Sequence, residues 1–206
     1  MERRHFLPAG IVSVSLADRI RSALSQPSTE APLEGDLPEL RAKANVPAAV
    51  LVAVTDRPDP GVILTLRRDN MRTHAGQVAF PGGRVDPDEE AVEAALREAH
   101  EEILLDPDLV DVIGSIEPYQ TVTGYVVTPV IGVIPPDLQL SPHEQEVADL
   151  FEAPLAFLLD PPNQRLQSAL FQGAERHYYE IVWNGRRIWG ATAAMIVNLS
   201  RRLQWK

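Results

Sequence analysis

Glu98, Glu101 and Glu102 stand at i, i+3 and i+4 in the run Arg97-Glu98-Ala99-His100-Glu101-Glu102-Ile103-Leu104-Leu105. A helix turns about 100° per residue, so this spacing gathers the three carboxylates within an arc of roughly 100° on one side. Their mutual repulsion calls for a compensating charge. Hard oxygen ligands this close together suit Mg²⁺ or Mn²⁺, which prefer carboxylates combined with phosphate oxygens. An acidic surface helix would also carry the apolar stripe Val92, Ala95, Leu96, Ala99 and Ile103. It would explain neither Arg97 set among the carboxylates nor the Phe80-Pro81-Gly82-Gly83 turn that leads in.

The stretch resembles the Nudix box, whose pattern is Gly, five residues, Glu, seven residues, Arg-Glu, apolar, any residue, Glu-Glu, any residue, Gly, apolar. Gly83, Glu89, Arg97, Glu98, Glu101 and Glu102 fall on the fixed positions, with Ala99 and Leu105 on the apolar ones. The second glycine is replaced by Leu104. A glycine there would supply a left-handed helix cap, so the expectation is a different exit, with Asp106-Pro107 ending the helix. The resemblance implies Glu98, Glu101, Glu102 and Arg97 as the catalytic set. It makes Glu98 and Glu102 direct ligands of Mg²⁺ or Mn²⁺, Glu101 a third ligand or bridge, and the Gly83 carbonyl the completion of the shell. Arg97 is expected to pair with Glu89 or with the acidic cluster and hold loop and helix in register.

Upstream, Leu64-Thr65-Leu66-Arg67, Met71-Arg72, Gly76 and Phe80-Pro81-Gly82-Gly83 are similar, in spacing throughout, to the motif that marks coenzyme A pyrophosphatases within that superfamily. Two positions depart, Ile63 for a leucine and Arg68 for a small residue. The likeness implies Arg67, Arg72, Gly76 and Gly82 as substrate-binding residues. Arginine's planar fork suits phosphate oxygens, and Arg67, Arg68, Arg72 and His74 concentrate basic side chains beside the box. A softer match, Ile188-Trp189-Gly190-Ala191-Thr192-Ala193, extends the likeness over most of residues 47–203. A general base outside the box is sought after Pro135-Pro136, with Glu144 and Glu146 nearest. Tyr178, Tyr179, Trp183 and Trp189 read as cross-strand packing and stay outside the expected site.

At 206 residues and 45% hydrophobic content the chain suits one well-cored domain. A formal net charge of −10 repels polyanions at long range and argues against a nucleic-acid partner, whereas local arginines and a divalent cation would reverse that at the site. No apolar run approaches the roughly 20 residues that span a bilayer, and no signal-like stretch follows Met1. The expectation is a soluble, cytoplasmic protein with no membrane partner. Zero cysteines excludes disulfides, thiolate metal sites and cysteine nucleophiles, including the cysteine-dependent isomerase chemistry of a related family.

The elements that must position these residues follow from pattern. Ser15 caps a helix of about ten residues with Leu16, Ile20, Ala23 and Leu24 on its apolar face. Residues 26–38 read as a tether and Leu40 to Ala44 as one more helical turn. Strands are expected over 48–55, 62–68, 109–117 and 125–134, and helices over 144–151, 154–159 and 191–203. Asn184-Gly185 turns a hairpin of 177–183 with 186–189. Periodicity gives mixed α and β; the Nudix resemblance implies an α/β/α sandwich with a mixed sheet. Residues 1–46 form an N-terminal helical extension and linker that leaves room for a homodimer, and residues 47–206 the Nudix domain.

The expected activity is metal-dependent hydrolysis of the diphosphate of coenzyme A or its thioesters, giving 3′,5′-ADP and a 4′-phosphopantetheine. The alternatives are another nucleoside diphosphate derivative, such as an ADP-sugar or dinucleotide, and a non-catalytic nucleotide-binding Nudix module.

Overall fold

Two long apolar, β-branched strands, β1 (Val46–Thr55) and β7 (Tyr125–Ile134), run parallel over ten residue pairs and form the centre of the sheet. Burial on both faces is why they read as near-continuous hydrophobic runs. The computed structural model describes residues 14–28, 30–35, 45–69, 76–171 and 174–205. Outward from the centre, β2 (Gly61–Arg67) returns antiparallel to β1, β3 (Val78–Ala79) pairs with β2, and β5 (Asp111–Ser115) pairs with β7. Three further strands join this sheet: β4 (Gly82–Arg84) on β1, β6 (Tyr119–Gln120) on β7 and β8 (Val147–Pro154) on β2. A second, antiparallel sheet contains β9 (Arg165–Phe171), β10 (Ala174–Trp183) and β11 (Arg186–Trp189).

Alternation of side chains along β1 divides the core. Ala49, Leu51 and Ala53 face α2 (Ala91–Ile103), meeting its Ala94, Ala95, Ala99 and Ile103. Ala48, Val52 and Val54 face the other way. There they share a core with Leu16 and Ile20 of α1 (Leu16–Ser25), Leu155 and Leu158 of α3 (Leu155–Leu159), and Ala193, Ile196 and Leu199 of α4 (Ala191–Leu203). The architecture is the expected α/β/α sandwich with a mixed sheet. Three alanines on the buried face of α2 let that helix lie close to the strands, which brings its carboxylates to the rim of the sheet. Ser15 caps α1 by accepting from the Asp18 N–H at 3.1 Å. Asn198 of α4 clamps the segment after α1, accepting from Leu33 N–H at 2.8 Å and donating to Leu33 O at 2.9 Å.

Several expectations give way. Residues 144–151 are not helical: β8 begins at Val147 and pairs with β2 from Arg67 to Gly61. Eight-residue Val147–Pro154 has no clean period, and the open edge of β2 decides its state. The strand expected over 109–117 shortens to 111–115, because Pro107–Leu109 forms a 3-10 turn whose Asp106 side chain accepts from Asp108 N–H at 3.0 Å. Strand β9, which doubles back along β10, was not anticipated. The helical turn expected over 40–44 lies outside the described residues.

Candidate active site

Helix α2 starts with Glu90 and Glu93 in reciprocal capping contact, the Glu93 carboxylate accepting from Glu90 N–H at 2.9 Å. It ends at Leu104, and here the expected exit is corrected. Leu104 adopts φ 54° and ψ 32°, the left-handed conformation a glycine would supply, and its N–H reaches back to Ala99 O and His100 O. The turn aims Leu105 into the core, fully buried, while Leu104 is left 57% exposed. Packing of Leu105 fixes the backbone there, and Leu104 bears the strain.

Two glycines bring the strand next to the helix. An added Cβ on Gly82 would lie 2.3 Å from Ala49 O, and one on Gly83 would lie 2.4 Å from the carboxyl carbon of Glu98. The absence of side chains lets β4 pass between β1 and the carboxylates of α2. Gly82 N–H donates to Glu102 Oε2 at 3.2 Å, and Arg67 Nη1 stands 3.4 Å from Glu102 Oε1. Glu102 is only 4% exposed. Burial pushes its carboxyl up to about 7, with the charges of Glu98 and Glu146 adding to the rise and Arg67 and Gly82 opposing it. Burial raises Glu98 as well, against the pull of Arg97.

Arg97 stands behind this pair. Its Nε and Nη2 grip Glu89 at 2.9 and 3.0 Å, Nη1 meets Glu98 at 2.9 Å, and Nη2 also donates to Arg84 O at 3.0 Å. The guanidinium holds Glu89 below the usual carboxylate range, and its own affinity for the proton is raised chiefly by Glu89. Arg97 therefore ties the Gly83–Glu89 loop to the helix, as its place in the box implied.

These groups open on a cleft of about 340 Å³. Arg67, Gly82, Gly83, Glu98 and Glu102 line it, so most of the residues singled out from the sequence are brought together. Glu101 turns outward, its side chain 58% exposed and 3.5 Å from Arg97. Gly76 supports the approach to the cleft, at φ 66° with its N–H donating to Arg67 O at 3.1 Å. Arg72 and His74 lie outside the described residues. Arg68 is exposed and donates to Glu144 O, leaving Glu144 away from the cleft, whereas Glu146 lines it. Trp183 stacks on Phe151, and Tyr178 meets Trp189 edge to face, both away from the cleft lining.

Sequence reasoning passed over the far wall. Arg84 donates from Nε and Nη2 to the Tyr125 hydroxyl at 3.2 and 2.9 Å, and Thr121, Thr123, Val127 and Met195 also line the cleft. Arg84 follows the paired glycines directly, a signal of proximity available in the sequence; Tyr125 and Met195 arrive through tertiary structure alone. The 188–193 segment is placed by Thr192, whose hydroxyl donates to Val78 O at 3.1 Å just ahead of the Phe80-Pro81-Gly82-Gly83 turn. Gly190, at φ 63° and ψ −135°, allows the abrupt entry into α4.

The donor set fits a hard divalent cation. Glu98 and Glu102 offer only oxygen, burial raises the proton affinity of both, and Glu102, pushed up to about 7, can exchange its proton for a metal near neutrality. Among the described residues no three acidic, histidine or cysteine side chains converge into a ready-made cage. Such a cage is not required where substrate phosphates and water complete the coordination.

Fold and site together define an α/β/α protein with a carboxylate-walled cleft bordered by arginines, a class suited to phosphate-bearing ligands. The NUDIX domain matches residues 45–172, and the chain belongs to the Nudix family. It is similar to proteins named Uncharacterized Nudix hydrolase NudL. The one from Escherichia coli (strain K12) is 45% identical over 158 residues, covering 76% of this chain and 82% of that protein. The one from Cronobacter sakazakii is 46% identical over 157 residues, again 76% and 82%. Among solved structures, the Nudix hydrolase RenU from M. smegmatis aligns with 53% of this chain and 71% of its own, at 26% identity and a TM-score of 0.47.

Proposed function

We propose that this protein hydrolyses the diphosphate bond of coenzyme A or its thioesters, giving 3′,5′-ADP and 4′-phosphopantetheine or its acyl derivative, with Mg²⁺ or Mn²⁺. The observation that carries the reading is the contact of Arg67 and Gly82 with Glu102. Both contacts join the upstream motif to the box, so the segment that resembles coenzyme A pyrophosphatases and the segment that resembles a metal site form one wall.

In this reading Glu98 and Glu102 hold the cation with the Gly83 carbonyl as a further oxygen donor, and Glu101, which faces outward beside Arg97, would join them only by turning toward the cleft. A divalent cation supplies neutralisation of the diphosphate charge and lowers the pKa of water. Arg67 presents its guanidinium to a phosphate oxygen from the 3.4 Å contact it keeps with Glu102. The likeness of the upstream motif assigns Arg72 and Gly76 to substrate binding as well. Arg97 is a positioning residue that orients Glu98 and anchors Glu89. Glu146, exposed at the cleft, is the side chain best placed to take a proton from the attacking water. Val50, Phe80, Val127 and Met195 give part of the wall an apolar character suited to an adenine face or a pantetheine arm.

The test is product analysis of the purified protein with Mg²⁺ or Mn²⁺ against coenzyme A, ADP-ribose, NADH and a diadenosine polyphosphate. Preferential release of 3′,5′-ADP from coenzyme A is expected. Preference for another substrate would keep the hydrolytic site and discard the substrate assignment; no turnover of any would leave a nucleotide-binding module.

A further inference from the structure

Among the described residues strand β9 pairs with β10 alone, along Arg165 to Phe171, and forms the outer edge of the second sheet. Among the described residues no strand pairs with its other side, and its own sequence offers none of the residues that usually protect an edge. The sequence Arg165-Leu166-Gln167-Ser168-Ala169-Leu170-Phe171 holds no proline, no lysine and no carboxylate. Leu166, Ser168 and Leu170 share one face, since they pair with Tyr179, His177 and Glu175. Leu166 is 58% and Leu170 81% exposed. Tyr179 beside them still packs against the core, so β9 stands just beyond it.

We infer that β9 is a homodimer interface, pairing antiparallel with β9 of a second copy about a two-fold axis at Ser168. Two antiparallel edge strands related by such an axis must pair a central residue with itself, because opposed residues share a face. Centred on Ser168, the register sets Leu166 against the partner's Leu170 and Leu170 against the partner's Leu166. These two exposed leucines thus cover each other on both sides of the axis, with Ser168 small enough to let the strands meet. Charge selects the same arrangement. Arg165 is the only charged residue of the strand, and the antiparallel register holds the two copies of it six residues apart, about 20 Å, beyond the screening length at physiological salt. A parallel in-register pairing would set them side by side. An unrelated acceptor strand would need its own apolar pair at matching spacing, which the strand itself already supplies. The result is a continuous six-stranded sheet.

The absence of cysteine makes the test direct, since a single introduced thiol can only cross-link between chains. Ser168→Cys should give a disulfide dimer under mild oxidation, because opposed antiparallel residues lie about 4.5–5.5 Å apart at Cα, within disulfide reach. Gln167→Cys serves as the register control: its own counterpart is displaced along the strand, and it should cross-link at least ~10-fold less. Light scattering should show a dimer of the wild-type chain and a monomer for Leu170→Lys, with unchanged circular dichroism and turnover. A wild-type monomer, equal cross-linking at the two positions, or a Leu170→Lys variant that remains dimeric would each overturn the inference.

Discussion

Arg67 Nη1 lies 3.4 Å from Glu102 Oε1, joining the end of β2 to the last turn of α2 across 35 residues of sequence. Among the described residues the guanidinium is the one cation in contact with this buried carboxylate, and it lies against the same cleft as Glu98 and Glu146. The charge balance of the site therefore rests on a pair that offsets only part of the burial of Glu102. Several measurable consequences come from that and from the neighbouring geometry.

Glu102→Gln is expected to abolish turnover, by at least ~10³-fold, while leaving the fold intact, because an amide keeps the shape and the Gly82 contact but removes the anion. Circular dichroism and single-turnover assays check it. Unchanged turnover would remove Glu102 from the reaction.

The same residue sets a pH dependence of stability in metal-free protein. Folding raises the Glu102 carboxyl from 4.5 to about 7, so the native state binds more protons than the unfolded chain between those values. Its contribution is fully present below pH 4.5 and is lost as pH rises to about 7, on the order of 3 kcal/mol. Wild-type protein in chelator should lose melting temperature relative to Glu102→Gln between pH 5 and 7.5. Added Mg²⁺, which prefers the ionised carboxylate, should restore more at pH 7.5 than at pH 5. Parallel melting curves for the two proteins across this range would contradict the assignment.

Arg97→Lys keeps the charge but loses the two-pronged grip on Glu89 and the simultaneous hold on Glu98 and Arg84 O. The expected effect is a fall in kcat of roughly 10–100-fold with a smaller change in KM, as befits a group that positions others. A KM effect with kcat intact would instead place Arg97 against substrate.

Gly83→Ala would force a Cβ to within 2.4 Å of the Glu98 carboxyl carbon. The side chain of Glu98 must move, and activity should fall by about 10²-fold or more with little change in secondary structure. Manganese binding, read by electron paramagnetic resonance of free Mn²⁺, should weaken in parallel.

Leu104→Gly is expected to stabilise the protein by about 0.5–1 kcal/mol, because it relieves a left-handed leucine that is mostly solvent-exposed. Thermal denaturation measures it. A loss of stability would mean that the contacts of Leu104 outweigh its backbone strain.

Much of the site was legible because its chemistry is written in local spacing. Glu98 and Glu102 lie one helical turn apart, and Arg97 answers Glu89 across a short loop. Helix α1 with its Ser15 cap and strand β7 over 125–134 also follow from local pattern, since capping and long apolar runs act over a few residues. Other features were not legible. Val147–Pro154 has no period of its own, and it becomes a strand because β2 offers it an open edge. Strands β3, β4 and β6 have two or three residues each, too few for propensity to register. Leu104 takes a conformation that its own side chain disfavours because Leu105 must be buried.

By itself the sequence determined which residues carry charge, where the glycines permit close approach, and the helical face that presents the carboxylates, all properties of neighbours in the chain. Only tertiary structure decided that Arg67 and Gly82 would hold Glu102, that Glu146, Tyr125 and Met195 would close the same cleft, and that Glu101 would face outward. Those outcomes depend on how the sheet brings distant segments together and how burial changes the cost of charge, and neither is set until the chain has packed.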